Sequence, residues 1–412
     1  MGVNGLLEHA YSCRSVQVEG VLMGARTIHP FPARMAPDIA IDRLGSMAGE
    51  ELVVLDPMCG SGTVLAAAAA RGHSACGFDV DPLAVLMSSV ATHAVDTEQV
   101  IAEAERVCAL ARESTVDKPR WDDPETRKFA EYWFATPQRR QLNRLSRELD
   151  EIDDDAVRRA LQVALSRTII TKAPKASLAA DTSHSRPHRV MTESSYDVYR
   201  GFESSVSSLK KLLDERSILG PVEVHRGDAR SLDLPDSSVD LVITSPPYLN
   251  AIDYLRGHKM SLIWFGHTIP ELGKIRSNSI GAERALDGDS LKQVEDMVQY
   301  IKDSVDAPDR LPVATIRRYA HDVASFAREL NRVCKTGSEV VTVIGNSTLR
   351  GNYIRNDALV RKAYENSGFQ IVARTERELP ENRRYLPVRT VNLESSISKR
   401  MRTEVLLTVR KS

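Results

Sequence analysis

The sequence predicts an α/β fold: a doubly wound, Rossmann-like sheet of seven strands with an antiparallel last strand, interrupted by a largely helical insertion. Three observations predict it. Residues 52–55 (Leu-Val-Val-Leu) form a short apolar run that leads into a glycine turn and an alanine-rich helix, a βα unit. Further short β-branched runs alternate with segments of helical period. Residues 239–243 (Val-Asp-Leu-Val-Ile) read as a buried strand that stops at Pro246-Pro247, because neither proline donates to a sheet ladder.

Composition bounds the class. The chain has 412 residues, 42% hydrophobic and 27% charged, which is globular and not disordered. That length suits a core of roughly 200–250 residues with insertions. The five cysteines, Cys13, Cys59, Cys76, Cys108 and Cys334, lack the spacing of a zinc site or disulfide framework and fit a reducing cytoplasm. No metal is expected. No apolar run reaches membrane-spanning length and the N-terminus lacks signal-peptide architecture. With a formal net charge of −1, any basic surface for a nucleic acid must be local.

Taken in order, His29-Pro30-Phe31-Pro32-Ala33-Arg34 is a proline-stiffened segment leading to a helix from Asp38 onward. The first strand ends in Asp56-Pro57-Met58-Cys59-Gly60-Ser61-Gly62-Thr63, and residues 64–71 are helical until Gly72. Such a turn lets backbone approach a ligand and offers helix N–H groups to it. A second strand, residues 75–80, carries Asp79 and Val80 at its end, about twenty residues after the glycines, the spacing of a ribose-binding acid. Asp79 alone also suits a helix cap before Pro82. Helical period dominates from residue 83 to about 212, broken by a polar, basic loop at 181–189. Strands resume at 222–229, with Asp228 and Ala229 at the end, and at 239–243. Helix follows at 250–265. Residues 266–318 read as a mixed polar excursion, 319–334 as an amphipathic helix, 338–346 as a strand, 357–367 as a helix, and 369–375 and 404–410 as the last strands. No helix is evident between these two, so they read as an antiparallel edge pair. The divisions expected are 1–94, the insertion 95–215, and 216–412.

These motifs, in this order, resemble the S-adenosylmethionine-dependent amino-methyltransferases of DNA, most closely the cytosine-N4 group. The resemblance covers about half the chain. It implies a seven-stranded sheet with an antiparallel edge, and S-adenosylmethionine bound by the Asp56-Pro57…Thr63 loop (Cys59, Gly60, Ser61 and Gly62 included), Asp79, Val80, Asp228 and Ala229. It places His29, Phe31 and Pro32 over the methionine part. Ser245-Pro246-Pro247-Tyr248 matches the catalytic signature of the family.

The chemistry follows from the residue types. An exocyclic base amine is a weak nucleophile because its lone pair is delocalised. Ser245 Oγ and a carbonyl near Pro246 can accept its hydrogens, the prolines hold those acceptors rigid, and Tyr248 offers a stacking face. The target is hidden in a duplex and must be flipped out unless the substrate is single-stranded. Attack on a ring carbon would need a nucleophilic cysteine, which the family of carbon-5 enzymes places after a proline, and none of the five cysteines follows one. The resemblance narrows this amine chemistry to an expected activity, direct methyl transfer to cytosine N4 in DNA. Adenine N6 is the nearest alternative. RNA, a protein glutamine amide, or a catalytically silent nucleic-acid-binding protein are more remote.

Target recognition is assigned to two regions, the insertion and the 266–318 excursion. Arg186 and Arg189 in the 183–189 loop suit phosphates or guanine edges, although charge clusters are commonly solvated faces. Arg383, Arg384 and Tyr385 lie in a C-terminal part (371–412) with ten Lys/Arg against five Asp/Glu, a pairing that suits a phosphate clamp and stacking platform. Arg317-Arg318-Tyr319 repeats it more weakly. Tyr254, Arg256 and His258 follow the catalytic motif and either line a base pocket or pack. A cognate restriction or defence system is an expected partner in a bacterial or archaeal cytoplasm.

Overall fold

The structure is a computed structural model. It describes residues 27–32, 34–47, 49, 51–249, 253–280, 291–379 and 403–412. Seven strands form one sheet: β1 (Val53–Asp56), β2 (Ser74–Asp79), β3 (Val222–Arg226), β4 (Val239–Thr244), β5 (Cys334–Gly345), β6 (Phe369–Glu378) and β7 (Thr403–Lys411). Their spatial order is β3-β2-β1-β4-β5-β7-β6. The pairs among β1 to β5 are parallel, whereas β7 runs antiparallel to both neighbours. The order reverses between β1 and β4. That is the switch point where a doubly wound sheet opens a crevice at its strand ends. The predicted fold class is observed.

Strand periodicity decides the two faces. Leu241 and Ile243 of β4 point to one side with Val54 of β1, under α1 (Pro37–Gly45) and α2 (Thr63–Ala69). Val242 points to the other, with Leu55, under α12 (Val313–Val333), whose Ile316, Val323, Phe326, Ala327 and Leu330 are buried. Between these, the chain forms α3 (Pro82–Thr92), α4 (Thr97–Glu113), α5 (Pro124–Trp133), α6 (Thr136–Asp150), α7 (Asp155–Ile169) and α8 (Val198–Asp214). Aspartates cap α4, α5, α7 and α8, with Asp96, Asp123, Asp154 and Asp197 accepting first-turn N–H bonds. This helical layer shares one core with α9 (Leu255–Leu262), which follows the Pro-Pro motif: Trp264 packs against Trp121 and Phe134 at 4.9 and 5.2 Å.

Two expectations are corrected. In the 266–318 stretch, read as a mixed polar excursion, the described residues form α10 (Ile269–Asn278) and α11 (Leu291–Asp303), and α11 buries Val294, Met297, Val298 and Ile301 in the α12 core. Its polar residues hid an apolar stripe at helical spacing. Likewise Arg317-Arg318-Tyr319 is no stacking platform. Tyr319 is buried on the inner face of α12, and Arg317 pairs with Glu295. Helix α12 also begins at Val313, earlier than predicted. No described helix is long and apolar enough to cross a membrane. Arg383, Arg384 and Tyr385 lie outside the described residues.

Candidate active site

The ends of β1, β2 and β4 converge. After Asp56, the chain turns through Gly60 and Gly62, both in the left-handed region at φ +51° and +79°. Gly62 is the N-cap of α2 and supplies no side chain there. A Cβ on Gly62 would lie 2.9 Å from Ser88 Cβ, so the loop can press against α3 only as glycine. A Cβ on Gly60 would meet the Phe31 ring at 3.1 Å, which puts the His29–Pro32 segment directly over the loop. Cys59 is buried, its Sγ directed at Ser88 Oγ (3.5 Å), and burial pushes its thiol well above the ordinary range. It is a packing thiol and no nucleophile.

Acids line this crevice. Asp79 accepts from Gly60 N–H at 3.0 Å and Asp81 N–H at 2.9 Å, so it braces the glycine turn as well as ending β2. Burial, and then the neighbouring Asp81, raise its carboxyl to about 6. Asp56 accepts from Thr244 Oγ1 (2.8 Å) and Met58 N–H (3.2 Å), and burial raises it to about 7. Raised carboxyls beside one another favour a cationic ligand, which would return both to the ionised state. The helix cap is Asp81, whose Oδ1 accepts from Leu83 N–H at 2.9 Å; Asp79 does not cap α3. Asp228 is held by Arg230 through Nε (2.9 and 3.2 Å) and Nη2 (2.7 Å), and Arg230 continues to Asp322 and to the Asn278 carbonyl. Ala229 is buried beside it.

Thr244 links the second half of the site to the first, since its hydrogen bond to Asp56 ties the end of β4 to the end of β1. The next residue, Ser245, donates its hydroxyl to the Val343 carbonyl of β5 at 3.2 Å. A hydroxyl that has given away its hydrogen keeps lone pairs for accepting. Pro246 is buried, and Pro247 and Tyr248 are partly exposed. The Tyr248 ring lies flush on Gly345, where a Cβ would sit 3.1 Å from the ring. Ser245 and Tyr248 are thus both braced by β5.

The His29–Pro32 segment is anchored from behind. His29 is buried, donates Nδ1–H to the Pro30 carbonyl at 2.8 Å and accepts from Ser166 Oγ of α7 at 2.7 Å. Burial lowers it to about 3. Both ring nitrogens are occupied, so its side chain positions the segment and leaves no nitrogen for a ligand. Phe31 stacks on Tyr254, centroids 5.0 Å apart and planes 18° from parallel. Pro32 is buried, and the partly buried Val80 directly follows β2.

The basic loop of the insertion reaches the same place. Gly257 of α9 packs on it so closely that a Cβ would meet the Thr182 carbonyl at 2.6 Å, and Ser185 Oγ donates to the Tyr254 carbonyl at 3.2 Å. Arg186 and Arg256 are exposed on the loop and on α9. Arg189 is exposed, with its guanidinium 5.1 Å over the Tyr132 ring. Sequence reasoning missed Asp81, Thr244 and Arg230, and left His258 undecided. The Asp-Pro step before α3 and the Tyr254/His258 helical spacing were the available signals. Elsewhere, Cys76, Glu223 and His225 bring donor atoms within 4.8 Å of one another on β2 and β3, a possible metal grouping whose Glu and His are exposed.

No protein-family model matches the chain. It is similar to the type II methyltransferase M.MvaI of Kocuria varians, with 20% identity over 414 residues, covering 92% of this chain and 89% of that protein. Among solved structures it is similar to a SAM-dependent methyltransferase of Methanosarcina mazei, at 10% identity and a TM-score of 0.33, covering 90% of this chain and 96% of that one. A similar overlap is found with the rRNA methyltransferase aviRa of Streptomyces viridochromogenes, at 11% identity and a TM-score of 0.32, covering 95% and 92%. Overlaps this loose bear no weight on function. The strand order and the convergence of the motifs are the stronger findings.

Proposed function

We propose that the protein is a site-specific DNA methyltransferase that transfers a methyl group from S-adenosylmethionine to the N4 amine of cytosine. The observation that carries the reading is Ser245: it stands beyond β4 at the sheet's switch point, its hydrogen spent on Val343 and its lone pairs left to accept. A partial similarity to a type II methyltransferase supports the substrate class.

In this reading the ends of β1 and β2 would hold the cofactor: the glycine loop would approach it, Asp79 would take ribose hydroxyls, Asp228 and Ala229 would serve the adenine, and the acidic crevice would complement the sulfonium charge. The flipped cytosine stacks on Tyr248. Ser245 Oγ and a carbonyl at Pro246 accept the amine hydrogens, which localises the nitrogen lone pair for in-line attack on the methyl carbon. S-adenosylmethionine bound there would supply the methyl group and leave as the neutral thioether, with the surplus proton passing from nitrogen to water. Rigid prolines limit reorganisation. The helical layer 95–215 supplies target recognition through Arg186 and Arg189, joined by Arg256 from α9; Arg383, Arg384 and Tyr385, outside the described residues, are further proposed DNA contacts. A cognate restriction or defence system remains part of the proposal.

Incubation with methyl-labelled S-adenosylmethionine and genomic DNA, followed by nucleoside identification, tests the reading. N4-methylcytosine is expected. N6-methyladenine alone overturns the base assignment, and label in RNA or protein but not DNA overturns the substrate class.

A further inference from the structure

His258 is fully buried on α9 and joins four parts of the site. Its Nδ1 lies 2.5 Å from Asp81 Oδ2. Its ring is flanked by Phe31 at 5.7 Å and Tyr254 at 6.3 Å, and Phe31 in turn covers Gly60. Nε2 is also buried, yet it has no hydrogen-bond partner among the described residues. Buried polar atoms nearly always find partners, so an orphan beside a ligand loop points to a ligand. A carboxylate facing Nδ1 fixes a hydrogen on that nitrogen, and in the Nδ1–H tautomer Nε2 is the acceptor.

We propose that His258 is a positioning residue that contacts the cofactor, its Nε2 accepting a hydrogen bond from the aminoacyl ammonium group of S-adenosylmethionine. The inference rests on the cofactor assignment above. Three acids gather here, Asp56 and Asp79 at the ends of β1 and β2 and Asp81 at the cap of α3, so a cationic N–H donor suits the acceptor better than a neutral one. The same imidazole holds Asp81 through Nδ1, and Asp81 caps α3. Cofactor binding at Nε2 would therefore stiffen α3 and α9 together, and with them the Phe31–Tyr254 stack beside the catalytic motif.

His258→Asn keeps an amide N–H for Asp81 and removes the Nε2 acceptor; His258→Gln returns an amide oxygen near that position. Calorimetry of S-adenosylmethionine, S-adenosylhomocysteine and 5′-methylthioadenosine, which lacks the aminoacyl end, tests the contact. The expected result is that H258N binds the first two about 10- to 100-fold more weakly, the range for a hydrogen bond to a charged group, binds the third as wild type does, and regains affinity in H258Q. Equal affinity of H258N and wild type for S-adenosylmethionine overturns the contact while leaving the cofactor assignment standing. Equal weakening for all three ligands overturns the ammonium assignment. A wild-type protein that binds no S-adenosylmethionine overturns both. Should H258N fail to fold, 15N spectra of wild-type protein labelled in histidine decide: a His258 Nε2 shift on adding S-adenosylmethionine supports the contact and its absence refutes it.

Discussion

Replacing Gly62 with alanine probes the close approach of the glycine turn to α3. Gly62 sits at φ +79°, where a side chain costs about 1–2 kcal/mol. Its new Cβ would lie 2.9 Å from Ser88 Cβ and 3.0 Å from Ser88 Cα, both on a packed helix, so one of the two segments must move. Overpacking of that kind costs about 1–3 kcal/mol. The sum, about 2–5 kcal/mol, is a large share of the roughly 5–15 kcal/mol that holds a typical domain. Gly60→Ala is the matched control. It shares the left-handed backbone, at φ +51°, but its Cβ would meet only the Phe31 ring at 3.1 Å, which can shift. Its cost should stay near the backbone component of about 1–2 kcal/mol. Urea denaturation of both variants, with slopes compared to wild type, measures the difference. Gly62→Ala should be the less stable by at least about 1 kcal/mol. Equal losses, or a Gly62→Ala loss below about 0.5 kcal/mol, would refute the account of the α2–α3 contact.

Other perturbations separate the remaining parts of the site. Ser245→Ala should bind S-adenosylmethionine as wild type does but turn over about 10- to 1,000-fold more slowly, read by single-turnover methyl transfer; unchanged turnover removes Ser245 from the chemistry. Asp56 and Asp79 hold protons to about 7 and about 6 in the folded chain, above their ordinary 3.8. Between pH 4 and 7 the unfolded chain has released protons that the folded chain keeps, so cofactor-free stability falls as pH rises through this window. Asp56→Asn should flatten that slope in thermal melts, and an unaltered slope rejects the assignment. By the same sign, affinity for the cationic cofactor should rise from pH 5 to 8. Gly257→Ala would put a Cβ 2.6 Å from the Thr182 carbonyl and should cost about 1–3 kcal/mol in urea, through displacement of the basic loop from α9. Arg186→Ala should weaken duplex binding and reduce the salt slope by about one, with cofactor affinity intact; an unchanged slope excludes a phosphate contact.

What was legible in the sequence is local chemistry. Strand alternation in residues 239–243, the proline stop after it, the glycine turn after Asp56 and the alanine-rich α2 each declare themselves within a few residues, because period and backbone permission are short-range properties. The strand count and the antiparallel edge followed from the order of such segments. The 266–318 stretch misled for the same reason: its composition is polar, and the stripe of Val294, Met297, Val298 and Ile301 gains meaning only once α12 lies opposite.

The sequence by itself thus determined the sheet class, its seven strands and the proline stop at Ser245–Tyr248. Only the tertiary structure decided how the motifs meet. It joined Thr244 to Asp56 across 188 positions of chain, set Phe31 over Gly60, docked the basic loop on Gly257 and paired His258 with Asp81. It also showed that His29 anchors a segment, with both ring nitrogens already engaged. These are contacts between residues far apart in the chain, chosen by packing volume and by the need of buried polar atoms for partners, and neither quantity is written in local sequence.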